Sequence, residues 1–182
     1  MRAVLQRVLN ASVTVNTQVS SIDRGLCILL GIASDDTIDD LEYMVKKILK
    51  VRVFEDEKGE KMWSRSVKDA GLEILCVSQF TLYGSLSKDK PSFHNAMNSN
   101  ESKEMYTTFL NRLKQEYIED RIKDGVFGAK MIVNIVNDGP VTLELDSRKF
   151  IYVDKSTSSS ESNNNKEKIK SDKDMKKKEI EN

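Results

Sequence analysis

The 182-residue chain is 38% hydrophobic and 32% charged, with 29 basic and 29 acidic residues, a composition that fits one soluble domain joined to a hydrophilic segment. This balance lacks the large single-sign excess by which many nucleic-acid binders show in their composition, although a local patch need not appear in the total. The opening MRAVLQRVLNASVTV has no apolar run long enough for a signal peptide or for a membrane span of about 20 residues, and a cytoplasmic protein is expected.

The segment AVLQRVLNASVTVNTQVSSI alternates apolar and polar residues in short pieces around a turn at NTQ, which predicts two or three antiparallel strands. RGLCILLGI is continuously apolar and suits a central strand buried on both faces. Next, Ile38, Leu41, Val45, Ile48 and Leu49 fall on one helical stripe, with Asp or Thr before it as a cap and lysines toward its end. The helix is expected to stop near Lys50 and give way to a short strand through Phe54. EDEKGEKMWSRSVKDAG is polar and turn-rich, with Trp63 as its one large anchor, and LEILCVSQFTLYG returns to strand character.

After the loop SLSKDKPSF, residues 99–117 carry Met105, Phe109, Leu113 and Tyr117 at helical spacing, the core face of a second amphipathic helix. AKMIVNIVN and VTLELD read as two closing strands, with Gly139-Pro140 as the turn between them. The two helices and about seven strands, several in hairpin order, predict an α+β domain on a curved, barrel-like antiparallel sheet. That domain is expected to span residues 1–154. Residues 155–182, rich in Ser, Asn and Lys with eight lysines against six acids, are expected to be a disordered tail.

Familiar catalytic devices are scarce. His94 is the single histidine, and Cys27 and Cys76 sit in apolar runs, where a cysteine is most often a small core hydrophobe. No zinc-ligand spacing, glycine-rich phosphate loop, dinucleotide fingerprint or nucleophile elbow occurs, and neither a metal nor another cofactor is expected. In SQFT, Ser78, Gln79 and Thr81 are polar residues at the end of an otherwise apolar strand. They read either as an ordinary strand exit or as a cluster of hydroxyl and amide donors for recognition or catalysis. A threonine without a neighbouring base is a poor nucleophile.

SQFTLYG, then KPSF, FGAKM and NDGPVT, in this order and spacing, resembles the D-aminoacyl-tRNA deacylase family. The opening strand, GLCILLGI, KILKVRVFED and EILCVSQFTL extend the resemblance over residues 1–154, and it is nearest to the eukaryotic members. It implies a homodimeric enzyme that hydrolyses the ester between a D-amino acid, or glycine, and the terminal adenosine of tRNA. The implied signature is a cis Gly139-Pro140 pair inserted from one subunit into the other's pocket, rejecting L-aminoacyl esters by steric exclusion. Ser78, Gln79, Phe80 and Thr81 match the motif that lines the pocket. The resemblance assigns positioning and oxyanion stabilisation to Ser78, Gln79, Thr81, Gly139 and Pro140, with the substrate's own 2′-hydroxyl assisting.

Phe80 and Phe93 are candidates for packing the adenine or the pocket wall, Met131 matches a position beside the substrate, and Asn137 and Asp138 are candidates for bracing the loop. Lys90-Pro91 stands where bacterial members commonly have Arg-Pro, a change that keeps the charge and loses a bidentate donor. Weak contact of the lysine-bearing tail with nucleic acid is a further reading, less favoured than a solubilising tail. Two rival functions stay open at this point: a non-catalytic RNA-binding module, and a hydrolase of small esters that uses Thr81 or His94 directly.

Overall fold

The computed structural model describes residues 1–86 and 89–148. The chain divides into two units, Met1–Arg148 and Lys149–Asn182. The second unit, and with it the expected boundary at 154 and the expected disordered tail, lies outside the described residues. In chain order the elements are β1 (Arg2–Val15), β2 (Gln18–Ile22), β3 (Gly25–Gly31), α1 (Ile38–Lys50), β4 (Arg52–Phe54), β5 (Arg65–Ser66), α2 (Val67–Ala70), β6 (Glu73–Ser78), β7 (Ser85–Leu86), β8 (Pro91–Ser92), α3 (Ser99–Glu116), β9 (Ile122–Asp124) and β10 (Ile132–Asp146).

The long strand β1 organises the main sheet. One of its edges pairs with β10, and the other pairs with β3 over its first half and with β2 over its second, all antiparallel. Beyond β3 the sheet continues through β6 and β9, which join in parallel, in the order β10-β1-β3-β6-β9. The α+β class and the curved, barrel-like sheet are as expected. The two parallel pairs are a detail that the pattern of β3 does not carry, because a strand buried on both faces looks the same with a neighbour running either way.

A pair of bulges lets this sheet serve two apolar layers. Ala3 and Leu5 of β1 belong to the core under the helices, whereas Val8, Ala11 and Val13 belong to a second cluster with Ile22, Cys27, Leu75 and Val77. In a regular strand odd and even residues keep to opposite faces, so this change of face requires an extra residue. Leu9 is that residue, since Val8 pairs with Asn137 and Asn10 with Val136. The partner strand makes the matching change. Val133 and Ile135 pack on the second cluster and Val141, Leu143 and Leu145 on the first, with 138–140 left between the pairs Val8↔Asn137 and Arg7↔Val141. Gly139-Pro140 is therefore a bulge within one continuous strand, which corrects the expected hairpin turn between two strands: the chain keeps its direction across the pair.

The helices cover the first layer. α1 buries Leu41, Met44, Val45, Ile48 and Leu49, and the Asp40 carboxylate accepts from the Thr37 amide at 2.9 Å and its hydroxyl at 3.0 Å at the helix start. Ile38, expected on the buried stripe, lies in the exposed first turn at 56% exposure, and Met44 takes up core space instead. α3 buries Tyr106, Phe109, Leu110 and Leu113, with Met105 and Tyr117 packed partly against the same core. Arg112 of α3 grips Glu42 of α1 through two hydrogen bonds of 2.6 and 3.0 Å. Trp63, expected as an anchor, is also 56% exposed and has φ 61°; the Asp56 carboxylate, accepting from the amides of Glu60 and Lys61, holds that loop without it. Cys27 and Cys76 are fully buried and unbridged, and burial pushes the Cys27 thiol up to about 11, out of the range in which a thiolate reacts.

Candidate active site

Strand β6 is apolar until it leaves the core at Ser78, where the Gln79 amide donates to the Leu30 carbonyl at 2.7 Å and the chain enters a single tight turn over Phe80–Tyr83. This turn exposes Phe80, whose ring meets Phe93 edge to face with centroids 5.0 Å apart. Ser78, Gln79, Phe80, Phe93 and Met131 line one cavity of about 630 Å³. Its other walls include the sheet residues Val77 and Val133, Ala96, the start of α3 and the 127–129 loop. Gln79 Nε2 donates to Thr81 Oγ1, which leaves the threonine hydroxyl hydrogen free to donate elsewhere. The cavity thus combines largely apolar walls with a few polar groups, Ser78 and Gln79 from the strand exit and Asn98, Ser99 and Ser102 from the start of α3, as ligand sites commonly do.

The bulge at 138–140 is built differently. Gly139-Pro140 is cis, Gly139 has φ 113°, and both residues are exposed in the single chain. A Cβ at Gly139 would lie 3.1 Å from the Val141 side chain and 3.3 Å from the Arg7 guanidinium. Asp138 fixes the bulge from below. Its carboxylate lies 3.1 Å from Arg7 Nε, close enough for an ion pair without the alignment of a hydrogen bond, and 3.6 Å from Arg24. Arg7 is 5% exposed and also donates to the Val53 carbonyl at 2.7 Å, so the charge of a buried cation is balanced by the loop it holds while its Nε has no hydrogen-bond partner. Arg24 in turn pairs with Glu55 at 2.7 Å.

The hydrogen bond from Arg24, aided by backbone donors, lowers the Glu55 pKa to about 2. A carboxyl depressed in the folded state contributes stability above its unfolded value near 4.5, and that contribution is lost as pH falls toward 2. Glu55→Gln is expected to flatten the acid limb of the stability curve between pH 4.5 and 2, leaving the neutral to mildly basic range with a constant offset. Urea denaturation at a series of pH values checks this; parallel acid limbs for the two proteins would contradict it.

Among the residues selected from the sequence, Ser78, Gln79, Phe80, Phe93 and Met131 come together at the cavity, with Thr81 joined through Gln79. Asn137, Asp138, Gly139 and Pro140 are not among its lining residues, nor are the exposed Pro91, on the small β7–β8 ladder, and Lys90 just before it. The register separates the two groups by four residues along the strands, Leu26 to Leu30, and three strands across, about 13 Å by about 14 Å. His94 is exposed and its Nδ1 lies 2.9 Å from Ser92 Oγ. Among the described residues no three His, Cys, Asp or Glu side chains gather as metal donors. The sequence reading missed Arg7, Arg24 and Glu55. Arg7 left one signal: a permanent cation within a strand of alternating apolar residues needs a carboxylate brought from elsewhere.

Comparison with known proteins gives the same outline. The family model for D-Tyr-tRNA(Tyr) deacylase matches residues 4–146. D-aminoacyl-tRNA deacylase 1 of Homo sapiens is 57% identical over 148 residues, covering 81% of this chain and 70% of that protein. The D-aminoacyl-tRNA deacylase of Drosophila melanogaster is likewise 57% identical, covering 81% of this chain and 92% of its own. A solved structure named "c-Myc DNA Unwinding Element Binding Protein" superposes with a TM-score of 0.77 at 56% identity, covering 80% of this chain and 98% of that one. Another, "Structural Analysis of a probable eukaryotic D-amino acid tRNA deacylase", has a TM-score of 0.72 at 19% identity over the same shares and speaks for the fold alone. With a family match over most of its length and relatives at this identity, the chain belongs to the D-Tyr-tRNA(Tyr) deacylase family.

Proposed function

We propose that this protein hydrolyses the ester joining a D-amino acid, or glycine, to the 3′-terminal adenosine of tRNA and spares L-aminoacyl-tRNA, acting as a homodimer in which each bulge enters the other subunit's cavity. The observation that carries this reading is the cavity itself: a largely apolar chamber of about 630 Å³ lined by Phe80, Phe93, Ser78 and Gln79, with Thr81 joined to Gln79. In the reaction water adds to the ester carbonyl, the bond to the ribose 3′ oxygen breaks, and that oxygen leaves with a proton. Charge develops on the carbonyl oxygen, and the hydroxyl of Ser78 and the side-chain amide of Gln79 are its donors, Gln79 being held in place by its hydrogen bond to Thr81. Among the described residues that line the cavity none is an Asp, Glu, His or Lys, so the adjacent ribose 2′-hydroxyl assists the proton transfer and the protein contributes orientation.

Chiral selection needs a wall, and the 138–140 bulge supplies one of backbone. With the substrate's amino group and ester both held, an L side chain meets Gly139-Pro140 while a D side chain faces open space. Glycine has nothing to exclude. A single chain leaves the bulge well away from its own Ser78, and the surface beside it carries Leu9 at 52% and Val136 at 46% exposure, paired strands that flank the bulge. An apolar surface around a rigid projection favours a second copy of the chain as its partner, and two-fold symmetry then gives two equivalent pockets. Among the described residues no helix is long and apolar enough to cross a membrane.

The test is a deacylation assay with the purified protein. D-tyrosyl-tRNA and glycyl-tRNA are expected to be cleaved at enzyme concentrations that leave L-tyrosyl-tRNA intact. Equal loss of the D and L esters would remove the chiral wall from the account, and loss of neither would favour a binding module.

A further inference from the structure

Met131 lines the cavity together with the sheet residue Val133 and the 127–129 loop, and packs against the second apolar cluster. Its neighbour on the far side is Gly125, which follows β9 and whose amide donates to the Cys76 carbonyl at 3.2 Å. An added Cβ at Gly125 would stand 2.6 Å from Met131 Sδ and 3.4 Å from both methyl carbons of Val13. The first distance cannot be held by real atoms, whereas the second is ordinary van der Waals contact, so the conflict is with Met131 alone. Gly125 does not have the positive φ that would bar other residues, so its backbone accepts alanine and the whole consequence of a side chain falls on Met131. A thioether on an unbranched stem is easily moved, and the cavity that Met131 lines is open space beside it.

From this geometry we infer that Gly125 is a positioning residue for substrate binding: the hydrogen in place of a side chain lets Met131 lie back, and so sets how much of the cavity is left for the terminal adenosine. The inference rests on the cavity being the adenosine site of the proposed reaction. It goes beyond the match of FGAKM to the family, because Gly125 neither lines the cavity nor touches the substrate. Its effect passes through one side chain, which makes it separable from a general loss of structure.

Gly125→Ala is expected to raise KM for D-alanyl-tRNA and D-tyrosyl-tRNA by about the same factor, roughly 10-fold or more for one methylene-sized intrusion, while kcat stays within about twofold. The rise is equal for the two substrates because the adenosine is common to both. Shortening the displaced side chain should relieve it: Gly125→Ala combined with Met131→Val should return to the KM of Met131→Val alone. Two further measurements separate the possible failures. The methyl resonance of Met131, labelled with ¹³C, should shift in Gly125→Ala whatever the activity does, and an unmoved methyl overturns the packing relation. Ala96→Trp fills the cavity from another wall; if that variant, shown to be folded, cleaves D-aminoacyl-tRNA normally, the cavity is not the site and the inference falls with that reading. If Ala96→Trp is inactive but the KM of folded Gly125→Ala is unchanged, or Met131→Val brings no relief, Gly125 has no positioning role.

Discussion

Gly139→Ala is expected to lower kcat/KM for D-aminoacyl-tRNA by about 100-fold, the scale on which a displacement of about 1 Å at a catalytic geometry is felt. Two features of the structure carry this figure. With φ at 113° the residue sits where side chains are rarely accommodated, at a cost of about 1 to 3 kcal/mol. The new methyl would also crowd Val141 at 3.1 Å and the Arg7 guanidinium at 3.3 Å. Neither neighbour yields easily, since Val141 is paired to Arg7 in the sheet and Arg7 is pinned by the Val53 carbonyl and Asp138. The bulge must therefore shift outward, and with it the wall that meets the substrate. Circular dichroism and gel filtration should report an intact fold while steady-state deacylation collapses. Activity within twofold of the parent protein would show that the bulge lies outside the reacting geometry.

The second large effect is expected on the substrate side. A tRNA ending in 2′-deoxyadenosine, with the D-amino acid on the remaining 3′ position, should be cleaved about 100 to 10,000-fold more slowly, the range of a positioned acid-base group. Thr81→Ala and His94→Ala should each keep activity within about tenfold. The motivation lies in the arrangement of the site. His94 is turned to Ser92 at an exposed position, and Thr81 accepts from Gln79 with no base beside it. Single-turnover rates compare the chemical step directly. Rapid cleavage of the deoxy substrate, or loss of activity in either variant, would place the acid-base group on the protein.

The parts of the fold that repeat locally could be read before the structure was known. The periodicity of α1 and α3, the doubly buried β3 and the exit of β6 at Ser78 all follow from the order of apolar and polar residues over one element. The errors fall where the deciding partner is distant in sequence. Gly139-Pro140 looks like a turn because its composition is that of a turn, yet its place is set by the pairing of its flanks, Asn137 with Val8 and Val141 with Arg7, and by the need to change faces in both strands at once. Trp63 was misjudged because size alone does not show whether a loop folds inward; here Asp56 organises the loop through backbone amides and the indole stays outside. Likewise the ion pairs of Asp138 with Arg7 and Arg24 join residues over 100 positions apart. The candidate site divides in the same way. The residues of SQFT are contiguous and were found as a group, whereas Gly125 acts by having no side chain and shows only when Met131 is placed against it.

The most direct test of the central claim, that each cavity is completed by the other subunit's bulge, uses two damaged chains. One carries Gly139→Ala and keeps its cavity; the other carries Ala96→Trp and keeps its bulge. Each alone should be nearly inactive toward D-tyrosyl-tRNA. When the two are unfolded together and refolded as a mixture, half of the dimers should be mixed, and each mixed dimer should hold one cavity facing an intact bulge. Recovery to about a quarter of the parent activity is expected, as two-fold symmetry requires. If the refolded mixture contains mixed dimers but stays as inactive as its components, cavity and bulge do not act across the interface, and the account is wrong.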